Sequence, residues 1–211
     1  MIKNLIWDFD GTLYDTYAVM LDALQQTAQD FGITELTNVD LYRMMKLKSV
    51  RFVTDYVQRI YGVDQTAFST TYHRYEHAQQ IQPRPYPGAA EILTLIVQRG
   101  GLNLLDTHRD QQAQEFLQHD NLAQYFIVGI TASDDFPRKP DPSAILALLQ
   151  RYQLNPEETA MVGDRRLDIL AGVNAKIATI YFNVDHLYDA PQATWSINRL
   201  TDIRYILSET N

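Results

Sequence analysis

The apolar residues of this chain change rhythm along its length. A short unbroken run, KNLIW at residues 3–7, leads into Asp8 and predicts a buried strand over residues 3–8. From Tyr14 to about Gln82 no stretch reads as a good strand, and the pattern predicts helix after helix. The first helix can be capped by Asp15 or Thr16. It carries Val19, Met20, Ala23, Leu24, Ala28 and Phe31 at helical spacing and stops at Gly32. Further helices are predicted over 38–46, 49–61 and 64–80. The segment QPRPYPG, residues 82–88, is too rich in proline to be helical and marks the sharpest boundary in the chain.

Beyond that boundary strands and helices alternate. The pattern predicts a helix at 89–99 closed by Gly100 and Gly101, a strand at 102–107, a helix at 109–119 and a strand at 125–130. A loop, ASDDFPRKPDP, leads to a helix at 142–152, a strand at 159–164, a helix at 166–174 and a strand at 177–182. A weaker strand at 193–197 and a helix at 200–208 close the chain. Repeated βα units predict an α/β, Rossmann-like parallel sheet with helices on both faces. Ligands of such sheets bind beyond the carboxyl ends of the strands.

Composition narrows the function. With 211 residues, 45% of them hydrophobic, the chain can build one substantial core, or a core domain and a small accessory one. A formal net charge of −8 argues against nucleic acids and anionic membranes as partners but leaves room for a local cationic pocket. The absence of cysteine removes disulfides, thiol catalysis and thiolate metal ligands. No signal-peptide pattern opens the chain, and no run approaches the ~18 apolar residues of a membrane span, so a cytoplasmic protein is expected.

The chemistry gathers at predicted strand ends. Asp8 ends the first strand and Asp10 follows two residues later, on the same side of an extended chain. Thr107 ends the second strand, Lys139 lies in the loop after the third, and Asp164 ends the fourth with Asp168 four residues on. Asp164 and Asp168 share a face if a helix begins near Arg165. Four carboxylates, one ammonium and one hydroxyl at one sheet edge call for a hard, oxygen-preferring cation, and Mg²⁺ fits best. A Mg²⁺ site with few protein ligands commonly takes a phosphate, so phosphoryl transfer is the expected reaction.

DFDGT (8–12), Thr107, Lys139 within RKPDP, and GDRRLD (163–168) resemble, in order, the four motifs of the haloacid dehalogenase superfamily. The resemblance is to its helical-cap, phosphoglycolate-phosphatase-like branch and covers almost the whole chain. It implies an α/β core of residues 1–14 and 83–211 with an inserted all-helical cap domain at 15–82, PYPGAAEILTLIVQRG being the re-entry into the core. It implies a Mg²⁺-dependent phosphatase that hydrolyses a small phosphorylated metabolite through an aspartyl-phosphate. By position, Asp8 is the nucleophile. Asp10 is the acid and then the base, held protonated on arrival of substrate with the help of a nearby carboxylate. Thr107 and Lys139 grip phosphoryl oxygens, with Lys139 also shielding Asp8. The metal falls to Asp8, the backbone carbonyl of Asp10, and Asp164, with Asp168 acting behind them or through water. Gly11, Thr12, His108 and Arg109 are expected to line the substrate site. Lys48, Ser49 and Arg51 of the basic stretch YRMMKLKSVRF are the cap's candidates for the non-reacting end. A monomer or weak dimer is expected, with neither nucleic acid nor membrane as partner.

Competing readings rest on particular residues. Dehalogenases and phosphonate-cleaving relatives lack the second aspartate, which is present here as Asp10. Sugar-phosphate mutases keep it but usually carry Val where this chain has Thr12, so a mutase is the alternative. A non-enzymatic binding protein is disfavoured because every catalytic position is filled. HRYEH, residues 73–77, fits the H-x-x-E-H pattern of a zinc peptidase, but in a polar stretch that reads more simply as a solvated helix face. Two positions depart from the family's habit. Ala175-Lys176 replaces the usual Ala-Gly after the fourth motif, which implies a strained lysine or a different turn. Asp106 puts an acid before Thr107, either tuning His108 or Arg109 or facing away.

Overall fold

The computed structural model describes residues 1–78 and 83–209. The end of the helix predicted over 64–80 and the start of the connector at Gln82 lie outside the described residues. The chain divides into two compact units, Met1–Asp15 with Arg84–Asn211, and Thr16–Pro83.

The first unit is built on a six-stranded sheet of β1 (Asn4–Trp7), β4 (Asn103–Asp106), β5 (Phe126–Ile130), β6 (Thr159–Gly163), β7 (Ala178–Phe182) and β8 (Trp195–Ile197). The order is β5-β4-β1-β6-β7-β8 and every pairing is parallel. Side-chain alternation along a strand splits β1 between the two faces. Leu5 and Trp7 join a core with residues of α5 (Ala89–Gln98), α6 (Gln112–His119) and α9 (Ile203–Glu209). Ile6 joins a second core with residues of α7 (Ser143–Arg151) and α8 (Arg166–Asn174). The fold is thus an α/β, Rossmann-like parallel sheet covered on both faces.

One buried polar group locks the centre of this sheet. The Asn103 amide accepts from the Trp7 indole at 2.9 Å and donates to the carbonyls of Leu93 and Tyr125 at 3.0 and 3.2 Å. A buried indole N–H needs such a partner, and Asn103 ties the strands β1 and β4 to the helix behind them.

A small ribbon was not foreseen in the sequence. Tyr14–Asp15 (β2) pairs antiparallel with Arg84–Pro85 (β3), where the chain leaves and re-enters this unit. Two-residue strands are too short to show a periodicity. The helix predicted at 109–119 begins only at Gln112, because the preceding residues turn on side chains. The Arg109 amide donates to Thr107 Oγ1 at 3.1 Å, and the Gln112 amide to Asp110 Oδ1 at 3.0 Å. Residues 200–202 form a 3₁₀ turn ahead of α9.

The second unit is all-helical among the described residues: α1 (Tyr17–Asp30), α2 (Asn38–Leu47), α3 (Val50–Tyr61) and α4 (Gln65–Ala78). Leu24, Leu41, Met45, Val53, Val57, Phe68 and Tyr72 form its core. Thr37 and Asp40 make a capping box for α2, and Ser49 caps α3. Thr16 takes the cap position of α1 but makes no capping bond, because its own backbone is already helical at φ −96° and ψ −16°. No helix among the described residues is long and apolar enough to cross a membrane.

Candidate active site

The loop after β1 coils tightly enough to present both of its aspartates. The carbonyl of Phe9 accepts from the amides of Thr12, Leu13 and Tyr14 at 3.0–3.3 Å, and the Gly11 amide donates to the carbonyl of Tyr14 at 2.7 Å. Gly11 has φ 79°, a left-handed conformation that glycine adopts without strain. The Thr12 hydroxyl donates to Asp164 Oδ1 at 2.8 Å and lies 3.4 Å from Asp8 Oδ2. Thr12, expected to line the substrate site, thus also braces the carboxylate at the end of β6 and approaches the one at the end of β1.

Lys139 supplies the central positive charge. Its ammonium is 2.6 Å from Asp8 Oδ1, 2.7 Å from Asp168 Oδ1 and 3.0 Å from the Asp106 carbonyl. The other oxygen of Asp168 accepts from the Arg165 amide at 3.1 Å, so this carboxylate also caps α8. Gly163 makes the approach possible. A Cβ there would come 2.2 Å from Asp168 Cβ.

Asp8, Asp164 and Asp168 are all buried, and each offers an oxygen within 4.8 Å of the others. Among the described residues this is the one set of three or more acidic or histidine side chains close enough together to hold a metal ion. His73 and His77 join no such group, and His73 instead meets Glu76 at 3.1 Å on an exposed helix face. Burial, with Asp168 and Asp164 adding, pushes the Asp8 carboxyl well above the usual carboxylate range, while Lys139 pulls it down. Burial pulls the Lys139 ammonium downward, but Asp168, Asp8 and Asp106 outweigh it, and the net shift is upward.

Asp10 stands apart from that group. The Arg109 guanidinium grips its carboxylate, with Nε 2.9 and 3.2 Å from the two oxygens and a terminal nitrogen 2.8 Å from Oδ1. Gln112 accepts from the same guanidinium at 3.1 Å. A nearby carboxylate is expected to favour a protonated Asp10. The structure places a cation there, because the turn after Thr107 carries Arg109 back over the β1 loop. The metal expectation for Asp10 concerns its backbone carbonyl, so its carboxylate lying outside the group of Asp8, Asp164 and Asp168 leaves that expectation untouched. His108, expected to line the substrate site, accepts the Lys139 backbone N–H on Nε2 at 3.1 Å.

Residues 5–182 match the haloacid dehalogenase-like hydrolase family, most of the chain. This protein belongs to that family. It is 31% identical over 182 residues to a phosphoglycolate phosphatase of Agrobacterium fabrum, covering 83% of this chain and 78% of the relative. It is 24% identical to the pyrophosphatase PpaX of Bacillus mycoides, covering 100% and 99% of the two chains. Among solved structures it resembles a hydrolase from Streptococcus pneumoniae at 29% identity, with a TM-score of 0.67 and 98% of both chains covered. The chain is an enzyme of this hydrolase family, and the two relatives named above are a phosphoglycolate phosphatase and a pyrophosphatase.

In this haloacid dehalogenase-like hydrolase the three cap candidates belong to the helical unit. Lys48 is the cap residue just past the end of α2, Ser49 spends its hydroxyl on the Phe52 amide at 3.0 Å, and Arg51 lies exposed in the first turn of α3. Asp106 does not face away. It is buried at the end of β4, and its Oδ2 finds no hydrogen-bond partner. The bracing by Thr12 and the grip of Arg109 on Asp10 have no sequence signal, since both depend on loops that only the folded sheet brings together.

Proposed function

We propose that this enzyme is a Mg²⁺-dependent phosphatase that hydrolyses a small phosphorylated metabolite in the cytoplasm through an aspartyl-phosphate on Asp8. One observation carries the reading: three buried carboxylates at the sheet's carboxyl edge, with a lysine ammonium in contact with two of them. Three carboxylates against one ammonium leave a formal charge of −2 in a buried, all-oxygen donor set, which suits a hard divalent cation. Asp8, the Asp10 backbone carbonyl and Asp164 would hold it, with Asp168 behind them. When bound, Mg²⁺ supplies neutralising charge for the phosphoryl oxygens.

The chain's own groups carry the remaining chemistry. Asp8 attacks phosphorus in line as its bond to the leaving oxygen breaks, and Asp10, which must exchange its Arg109 contact for a proton as substrate arrives, delivers that proton to the leaving oxygen. Asp10 then takes a proton from a water that attacks the aspartyl-phosphate, releasing phosphate and restoring the Asp8 carboxylate. Lys139 keeps the Asp8 oxygen oriented and balances charge on the phosphoryl group. Thr107 is assigned to the same phosphoryl oxygens. Gly11, Thr12 and Arg109 form the walls.

A panel of small phosphorylated metabolites, assayed with Mg²⁺ for free phosphate and for isomeric products, tests the proposal. Phosphate release supports hydrolysis, and an isomer without phosphate marks a mutase. Asp8→Asn is expected to keep the fold and lose turnover by about 10⁴-fold or more, the scale for removing a nucleophile. Wild-type turnover in that variant would overturn the assignment of Asp8.

A further inference from the structure

The loop that carries Lys139 is poor in backbone donors. Pro137, Pro140 and Pro142 have no N–H, and all three fall within residues 137–142. The loop therefore cannot be held by a hydrogen-bonded ladder, yet it must place an ammonium to within ångströms of two carboxylates. Two contacts from the end of β4 hold the lysine at both ends. The Lys139 backbone N–H donates to His108 Nε2 at 3.1 Å, and its ammonium donates to the Asp106 carbonyl at 3.0 Å. The turn presenting His108 is itself fixed by the Arg109 amide donating to Thr107 Oγ1 at 3.1 Å.

We propose that His108 is a positioning residue, whose bare Nε2 anchors the Lys139 backbone and so sets the lysine ammonium between Asp8 and Asp168. Its catalytic consequence rests on the phosphatase reading, whereas the anchoring does not. An imidazole that accepts on Nε2 carries its proton on Nδ1, so the tautomer is fixed by the bond. Protonating the ring would replace the acceptor with a second donor and break the anchor. The surroundings oppose that protonation. Burial, with Lys139, Arg138 and Arg165 adding and Asp168 opposing, pushes the His108 pKa down to about 4. The ring is thus a neutral acceptor across the ordinary working range of pH.

Two substitutions separate anchoring from mere filling. His108→Gln can present an amide oxygen at the reach of Nε2, and His108→Leu fills the space without an acceptor. The proposal expects turnover in His108→Gln within a few-fold of wild type and a loss in His108→Leu of about 10²-fold, the cost of an ångström-scale misplacement. Hydrogen exchange at the Lys139 amide reads the anchor directly: slow in the wild type and in His108→Gln, fast in His108→Leu. Nitrogen NMR of the wild-type ring should show Nδ1 protonated and Nε2 bare. A ring protonated on Nε2, or a Lys139 amide equally protected in His108→Leu, overturns the proposal even if that variant folds poorly or the substrate panel fails. Failure of the panel with these signatures intact counts against the phosphatase reading alone.

Discussion

At the scale of single residues, Lys139 has one positive charge and is surrounded by acids. Asp8 and Asp168 contact it through their carboxylates and Asp106 through its backbone carbonyl, so the Asp106 carboxylate has only an electrostatic share in it. Asp106 is therefore the least supported charge of the site, buried with one oxygen unbonded. Burial, with Asp168 adding and Lys139 opposing, raises its pKa. A carboxyl whose pKa is higher folded than unfolded costs stability, and the cost grows as pH rises through the ordinary carboxylate value. Asp106→Asn should therefore stabilise the protein at pH 7 by about 1 kcal/mol, the scale of an unsatisfied buried polar group. That corresponds to about 2–4 °C in melting temperature. The gain should shrink toward pH 4, and melts at pH 4, 5.5 and 7 would check it. His108 has the opposite sign. Its pKa is lower folded than unfolded, so its share of stability is lost as pH falls from its ordinary value of 6.5 toward about 4.

At the scale of elements, the join between β6 and α8 fixes two carboxylates at once. Asp164 follows the strand and Asp168 occupies the third position of the helix, where it bonds back to the Arg165 amide. The join closes because Gly163 lets Asp168 pack against the strand. Gly163→Ala should cost about 1–3 kcal/mol through overpacking. It should also lower turnover, because relief of the clash moves the acid that contacts Lys139. Denaturant melts together with turnover measurements would test both effects. At the other end of α8, Lys176 takes φ 59°, so of the strained lysine and the different turn that its replacement of glycine left open, the structure shows the strained lysine.

At the scale of the whole molecule, the three buried carboxylates that could hold a metal ion would tie stability to the proposed Mg²⁺. Mg²⁺ at about 100 times its dissociation constant should stabilise the fold by about 2.7 kcal/mol. A chelator should reverse the rise in melting temperature, and Asp164→Asn should abolish most of it. Zinc should not be required, since His73 and His77 lie exposed with a glutamate between them. An unchanged melting temperature at millimolar Mg²⁺ would count against the metal assignment, whatever the substrate proves to be.

The strand-end positions of Asp8, Thr107 and Asp164 could be read from the chain alone, because apolar runs of strand length ended at polar residues. The βα alternation likewise determined a parallel sheet, and with it the edge where those residues meet. The ribbon at Tyr14–Asp15, the grip of Arg109 on Asp10, the brace of Thr12 on Asp164 and the anchor of His108 on Lys139 were decided only in three dimensions. Local pattern records which face a residue takes on its own element. It carries no information about which loop a neighbouring strand will set against it, and these contacts join residues that are far apart in sequence or too few to make a period.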